Sequence, residues 1–379
     1  MDPTKLIGPT NPLGAPAPFW FIEFFKVLGF ILHSIPMSLW YAGIIIAMLL
    51  WRSHNEHARA LSTRLMKKMP IIVAYGINLG IIPLLFTQVA YYKFFYPATI
   101  LMGWSWFSIF VLLIFAYYGV YLYATGMKHA AADDKKPIHK IQIAAGWVSA
   151  VLFIVIGFIF ANNFSLMTNL DAWDSIVQHT SIAGAPLGTA LNTSDPTLFS
   201  RWLMMFGLAI MTTAVYIMFD LSYFAKSESE ESKDWTTKFA FRLYTLGAGV
   251  YAIMGYNYIF RTLRPEAKNA LLNHPTVLLT IMTAISPILP FLLLIAVRRS
   301  GINKVFTMLI ALTQFLVLTL NAISRQIVQN VELKKYFDVS TEPVNLQLSP
   351  MIVFLLLFIF GLVVIIWMLT KVTRLEDIP

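Results

Sequence analysis

Cysteine is absent from the 379-residue chain, and charged residues make up only 12% of it. The lack of cysteine excludes disulfides, thiolate metal sites, iron–sulfur ligation and covalent haem attachment through Cys-x-x-Cys-His. The charged share is about half that of an ordinary soluble domain, and the hydrophobic share of 58% lies well above the usual value. Both departures exclude a soluble enzyme or a disordered chain and indicate a polytopic membrane protein. Any bound metal or cofactor must therefore use histidine, methionine, carboxylate or aromatic side chains.

Apolar stretches long enough to cross a bilayer recur along the chain, since a helix needs about 20 residues to span about 30 Å of hydrocarbon. They lie at residues 22–50, 70–93, 97–125, 141–166, 201–225, 238–261, 276–297, 304–323 and 350–370. The sequence thus predicts an all-α integral membrane protein with about nine transmembrane helices. The predicted parts are a proline-rich extramembrane arm at 1–19, a nine-helix membrane domain at 20–371 and a cytoplasmic tail at 372–379.

The distribution of basic residues predicts how the bundle is oriented. Most of the Lys and Arg residues lie in the connections after the first, third, fifth and seventh stretches and in the tail. Because cytoplasmic loops carry the basic excess, this predicts an outside N-terminus and a cytoplasmic C-terminus. The net charge of +9 is explained by such loops, so no nucleic-acid partner is expected. The expected location is the cytoplasmic (inner) membrane of a bacterium or archaeon.

Few ionisable residues lie within the apolar stretches, and those that do are candidates for function. Glu23 and Lys26 are three residues apart, and we expect them to pair. His33 is the histidine that sits well inside an apolar stretch; its imidazole suits an axial haem ligand or a bond to a helix carbonyl. Arg325 directly follows the eighth stretch, where it could snorkel to the surface or hold a cofactor carboxylate.

Two methionines, Met204 and Met282, lie early in the fifth and seventh stretches, both near the predicted outer surface. A thioether sulfur can ligate haem iron axially, and it is also a common packing group in apolar helices. The residues alone leave both interpretations open.

Short motifs along residues 20–370 resemble subunit I of the cytochrome bd oxidase superfamily, in the same order and on the same helices. They are His33 followed by Pro36, Tyr75-Gly76-Ile77-Asn78, Gly146-Trp147 leading to Ala161-Asn162, Thr280-Ile281-Met282 and Ser324-Arg325-Gln326. The resemblance implies a bd-like bundle with one or two b-type haems. It implies that His33 ligates a high-spin haem and that Met282 ligates a low-spin haem. With a haem bound, Arg325 would be a partner for a propionate.

The chain departs from that family at positions that carry its chemistry. Met204 stands where the family has the low-spin haem histidine, and Ala322 stands where it has a carboxylate. Residues 103–119 contain no Asp or Glu, and the connection at 261–275 is too short for the family's quinol-binding loop. Oxygen reduction needs protons delivered to a buried site, so a quinol:oxygen oxidoreductase of the usual kind is disfavoured.

Two functions follow from these observations. The first is a bd-like membrane cytochrome that carries haem b and passes electrons within a respiratory-type complex, taking them from a c-type cytochrome on the outer face rather than from quinol. Its cofactor and metal-binding residues would be His33, Met204, Met282 and Arg325, with no catalytic residue assigned. The alternative is a haem-free structural paralogue that scaffolds a catalytic membrane subunit, expected to be a bd-like chain. A transporter of a small neutral substrate is a third, less favoured class.

Overall fold

The computed structural model describes residues 3–132, 138–225 and 228–375, which form a bundle of helices. Residues 1–2 of the predicted arm and 376–379 of the predicted tail lie outside these ranges. In chain order the helices are α1 Phe19–Ser38, α2 Ile44–Trp51, α3 Glu56–Ala90, α4 Tyr92–Leu101, α5 Gly103–Ala132, α6 Lys140–Thr168, α7 Trp173–His179, α8 Pro196–Tyr223, α9 Glu230–Tyr256, α10 Pro265–Leu272, α11 Val277–Ile285, α12 Ile288–Ser300, α13 Lys304–Lys334 and α14 Leu348–Leu375. Strands β1 Ser181–Ile182 and β2 Ala185–Pro186 form a small antiparallel hairpin before α8.

Eight helical segments in the described part of the chain are long and apolar enough to cross a membrane. They are Phe19–Trp51, Glu56–Ala90, Gly103–His129, Lys140–Thr168, Pro196–Tyr223, Val277–Ser300, Lys304–Lys334 and Leu348–Met368. The predicted all-α integral membrane protein is therefore confirmed. The other predicted crossing, 238–261, corresponds to α9. It is not among these eight segments, because Arg242 and several glycine and tyrosine residues lower its mean hydropathy.

Helix α9 nevertheless belongs to the bundle, because its backbone packs directly on α8. Asn257 donates a hydrogen bond to Ser200 at 2.6 Å near one end of the pair, and Gly207 faces Gly247 and Tyr251 further along. The two helices therefore run antiparallel. A Cβ atom added to Gly207 would lie 2.7 Å from the Tyr251 nitrogen and 2.8 Å from the Gly247 oxygen. Small residues allow this close approach of two helix backbones, as is usual in membranes.

Replacing Gly207 by alanine is expected to lower the free energy of unfolding by about 1–3 kcal/mol, because the new methyl group meets backbone atoms that cannot rotate away. Gly249→Ala is the matched control, since a Cβ atom there meets nothing within 4 Å. Unfolding of the purified protein in mixed detergent micelles measures both changes. Equal losses in the two variants would contradict the tight α8–α9 contact.

One end of the bundle gathers the N-terminal arm, α4, the connection between α6 and α8, α10 and residues 335–347, and we call it the arm end. The arm is fixed there by main-chain bonds: Gly8 N donates to Lys93 O at 2.7 Å, and Ala15 N donates to Pro343 O at 2.7 Å. The Lys93 ammonium also pairs with Glu342 at 3.2 Å, and both side chains are nearly buried. Three separate segments of the chain are thus tied together over this end.

The third predicted stretch, 97–125, begins later in the structure than in the prediction. Residues Tyr91 and Met102 leave helical geometry, so that Tyr92–Leu101 forms the separate helix α4 and the crossing starts at Gly103. Two exposed amphipathic aromatic side chains lie toward the two ends of the apolar part of α5: Trp104 is 70% exposed and Tyr121 is 47% exposed. At 1.5 Å per residue the two lie about 26 Å apart along the helix, close to the thickness of a bilayer's hydrocarbon.

Candidate functional site

The first membrane crossing changes its helical form next to His33. Pro36 lies inside α1, and the chain continues through a π-helical turn at Leu39–Gly43 into α2. Proline cannot donate a helical hydrogen bond, and a wider turn is a common way to absorb the resulting distortion. The turn carries Trp40 and Tyr41, which are both buried in the bundle. The proline region thus places two large aromatic side chains close to the histidine.

His33 packs against α3 through its imidazole ring. The Nδ1 atom lies 2.8 Å from the Gly76 oxygen, and because a carbonyl oxygen only accepts, Nδ1 donates. The remaining nitrogen, Nε2, therefore carries the lone pair. One turn along α3, a Cβ atom at Gly80 would lie 2.7 Å from His33 Cε1. A bond to a carbonyl oxygen is the usual way of fixing the tautomer of a metal-binding histidine. A histidine with a purely structural role forms the same bond.

Gly76 on α3 and Gly157 on α6 have no side chain, and each leaves a notch in the helix surface that faces the π-helical turn. Aromatic side chains of the turn fill both glycine notches. A Cβ atom at Gly76 would lie 2.0 Å from Trp40 Cζ3, and one at Gly157 would lie 2.5 Å from Tyr41 Cε2. Trp40 stacks on Phe153 with ring centroids 5.6 Å apart and planes at 19°. The His33 ring meets Trp40 edge to face at 5.6 Å. The π-helical turn is therefore closely packed against α3 and α6 in the region of the predicted haem ligand.

The two methionines lie in different surroundings. Met204 on α8 is partly buried and packs against a small apolar cluster that includes Tyr258, Leu271 and Val328. Met282 is 41% exposed on the outside of α11. A bis-thioether site needs both sulfur atoms on opposite sides of one iron. An outward-facing Met282 gives no support for such a pair.

Arg325 projects from α13 into the arm-end half of the bundle and lies between two aromatic rings. Its guanidinium carbon is 4.4 Å from the Phe30 ring centre and 5.3 Å from the Phe164 ring centre. Stacking on aromatic faces is favourable for a guanidinium group. Among the described residues, no oxygen atom accepts a hydrogen bond from Arg325 and no carboxylate pairs with it.

A buried lysine lies close to Arg325 and was expected to pair with Glu23. The predicted hydrogen-bonded pair is wrong, because Lys26 Nζ donates to Gln326 Oε1 at 2.5 Å and to Gln329 Oε1 at 3.0 Å. Glu23 instead accepts from Asn330 at 2.5 Å. Only 7% of Lys26 is exposed. Both charged groups of α1 are therefore bonded to amide side chains of α13.

A second polar group at the arm end joins α8, α13 and the turn after α9. Arg201 lies beside Tyr258, with Glu332 and Asp195 within electrostatic range. Glu332 is 6% exposed, and its Oε2 atom has no hydrogen-bond partner. Asp195 caps the first turn of α8 by accepting from the Thr197 backbone N–H at 2.8 Å. The arm end thus buries several charges that the sequence placed in surface connections.

These buried groups have a recognisable sequence signal. Asn321, Arg325 and Gln329 follow one another at four-residue spacing, and so do Gln326 and Asn330. Residues four apart lie on the same side of a helix. A run of this kind at the end of an apolar helix indicates a polar face inside the bundle. Which groups this polar face binds depends on the neighbouring helices, and the spacing does not identify those helices.

The resemblance implies a b-type haem, and the packing tests whether one fits. A porphyrin needs a flat slot that opens onto its ligand atoms. The glycine notches beside His33 are already occupied by protein, and Met282 faces away from the interior. A cleft of about 390 Å³ at the arm end and an open groove beside the start of α5 are both lined by residues other than the four predicted ligands. The residues present therefore do not fit a porphyrin on His33 or one held between Met204 and Met282.

Comparison with known proteins supports the fold. No protein-family model and no curated protein matches the chain. Among solved structures, the bd oxidase from Geobacillus thermodenitrificans is similar, with a TM-score of 0.59 at 14% identity, over 96% of this chain and 99% of that chain. An identity this low shows a shared fold and says nothing of shared ligands. The chain is therefore a multi-pass membrane protein with a bd-oxidase-like helical bundle.

Proposed function

We propose that the chain is a porphyrin-free membrane subunit of bd-like fold that serves as the structural partner of a second, catalytic membrane chain. The observation that carries the proposal is the filling of facing glycine notches by aromatic side chains along the first crossing. Trp40 occupies the notch at Gly76, and Tyr41 occupies the notch at Gly157. These contacts use the space that a flat cofactor would need. The bundle is stabilised there by protein packing.

Packing energetics support this assignment. Interiors of proteins are filled at crystal-like density, and inserting even a few extra atoms forces side chains off their rotamers. A porphyrin beside His33 would have to displace Trp40, which is also stacked on Phe153. Exposing a large aromatic side chain and leaving a gap at Gly76 would each be unfavourable.

The lipid-facing surface offers room for a partner chain. Helix α5 carries a continuous set of exposed aromatic residues, namely Trp104, Phe107, Phe110, Phe115 and Tyr118, each more than 60% exposed. Aromatic side chains are enriched where protein surfaces associate, and they also suit lipid contact. The partner proposed is a bd-like membrane paralogue. The complex is proposed for the cytoplasmic membrane of a bacterium or archaeon, with the arm end outside.

The competing function is a bd-like cytochrome that carries haem on His33 and accepts electrons from a c-type cytochrome at the outer face. One observation favours it: the bond from Nδ1 to the Gly76 oxygen leaves Nε2 as the atom available to a metal. Met204 and Met282 would be further ligands and Arg325 a propionate partner. The outward position of Met282 and the filled notches favour the porphyrin-free function over this one.

Absorbance of the purified chain separates the two functions. We expect no stoichiometric Soret band when the protein is produced in haem-replete cells, and no change on His33→Ala. His179→Ala is the control, because His179 lies on the short helix α7 and its Nδ1 atom bonds within its own turn to the Ser175 oxygen at 2.7 Å. A Soret band that is lost in His33→Ala and kept in His179→Ala would establish the cytochrome instead.

A further inference from the structure

An uncharged stretch bounded by two arginines sets the level of α9 in the bilayer. Residues 243–260 contain no Asp, Glu, Lys or Arg, and Arg242 and Arg261 flank them. At 1.5 Å per residue this stretch covers about 27 Å, close to the thickness of the hydrocarbon layer. Arg261 lies at the arm end. Arg242 therefore lies at the level of the lipid headgroups at the opposite end of the bundle, which we call the far end.

Helix α12 ends beside this part of α9. Phe241 stacks on Phe291 of α12 with ring centres 5.4 Å apart. The guanidinium carbon of Arg298 lies 4.7 Å from the centre of the same Phe241 ring. Arg242 and Arg299 directly follow the two contacting residues in the sequence, and both are exposed. The contact between α9 and α12 thus gathers arginine side chains at the far-end membrane surface.

These arginines lack negative partners within the protein. Among the described residues, no carboxylate pairs with Arg242, Arg298 or Arg299, and no oxygen atom accepts a hydrogen bond from them. Asp234 lies on the same side of α9 two turns before Arg242, but it is already paired with Lys238 at 2.5 Å. Unpaired cations at headgroup level attract anionic lipids. The far-end surface beside α9 therefore has positive charge that the protein does not neutralise.

The exposed side of α9 also has room for an acyl chain. Leu246 and Ile253 are exposed on the same side as Arg242, which they follow by four and eleven residues. Gly249 lies between them, and a Cβ atom added there would meet nothing within 4 Å. The missing side chain leaves a shallow recess. The distance along the helix from Arg242 to Ile253 is about 16 Å, close to the hydrocarbon depth of one leaflet.

We propose that Arg242 and Arg298 bind the phosphate of an anionic phospholipid whose acyl chain lies over Gly249 on the exposed side of α9. Guanidinium groups match phosphate oxygens with paired, charge-assisted hydrogen bonds. Phosphatidylcholine carries the same phosphate, but the arginines repel its trimethylammonium group, so the site favours a lipid with net negative charge. The site needs neither a porphyrin nor a partner chain and is independent of the proposed function.

The test is thermal unfolding of the full-length protein in detergent micelles titrated with phosphatidylglycerol or, in parallel, with phosphatidylcholine. We expect a saturable rise in Tm of about 2–4 °C with phosphatidylglycerol alone, because a ligand that binds only the folded state stabilises it. Arg242→Gln is expected to raise the half-saturating lipid fraction at least about tenfold, as loss of charged hydrogen bonds does. Without added lipid this variant should unfold as the wild type does, since Arg242 is exposed and unpaired.

Two further variants separate the proposed site from general attraction of anionic lipids. Arg52→Gln is the matched control and should keep the full response, because Arg52 is exposed at the far end after α2 and the same charge is removed. Gly249→Leu should weaken the response by filling the recess. The proposal is overturned if phosphatidylglycerol gives no saturable rise beyond that of phosphatidylcholine, or if Arg242→Gln and Gly249→Leu both respond like the wild type. An equal rise with sodium phosphate at constant ionic strength would also overturn it, since the site would then bind free phosphate.

Discussion

Replacing Asp220 by asparagine is expected to lower the free energy of unfolding by about 3–5 kcal/mol, the cost of removing one partner from a buried ion pair. Asp220 is 1% exposed near the end of α8. Its two oxygens accept from Arg64 Nε at 3.0 Å and from Lys68 Nζ at 2.8 Å. An asparagine side chain keeps the shape but turns one acceptor into a donor that faces a cation. In the variant Arg64 still has its ion pair with Glu228, at 2.6 Å, but the carboxylate that joins α3 to α8 is lost.

The same change at an exposed pair provides the comparison. Asp234 and Lys238 form an ion pair at 2.5 Å with more than half of each side chain exposed. Asp234→Asn should cost less than about 1 kcal/mol, because surface ion pairs contribute little. Both variants can be measured by unfolding in mixed micelles. Similar small losses in the two variants would show that the Asp220 cluster does not hold α3 against α8.

The membrane class of the protein could be predicted because it depends on local composition. An apolar run of about 20 residues commits a segment to the bilayer whatever its neighbours are. The crossings were found in this way, and α9 shows where the rule weakens. Its exposed side includes Leu246 and Ile253, but Arg242 and glycine residues lower its apolar character. What fixes α9 in the bundle is contact with α8, which hydropathy does not measure.

The candidate site was predicted less well because its partners are distant in sequence. The expected pair of Glu23 and Lys26 was inferred from helical spacing alone. In the structure Lys26 reaches Gln326, 300 residues away, and Glu23 reaches Asn330. Which helices are neighbours decides such contacts, and the bundle topology is not encoded in the spacing. Likewise, Glu332 near the end of α13 has the sequence context of a surface residue, yet it is 6% exposed, with Arg201 and Arg264 within electrostatic range.

Replacing Trp40 by alanine is expected to destabilise the protein by about 3–5 kcal/mol, the usual cost of deleting a large buried aromatic side chain. The ring fills the notch at Gly76 and stacks on Phe153 at 5.6 Å. Gly76→Ala alone should cost about 1–3 kcal/mol, because its Cβ atom would lie 2.0 Å from Trp40 Cζ3. Gly361→Ala on α14, where a Cβ atom meets nothing within 4 Å, is the control for the glycine change.

The double variant gives the decisive measurement. With Trp40 removed, the space at Gly76 is open, so the added methyl group should cost nothing or partly refill the gap. The two losses are then not additive, and residues in direct contact typically show interaction energies of about 0.5–3 kcal/mol in such a cycle. Additive losses would mean that the notch is not filled by Trp40. That outcome would leave a slot beside His33 and would favour the cytochrome over the porphyrin-free subunit.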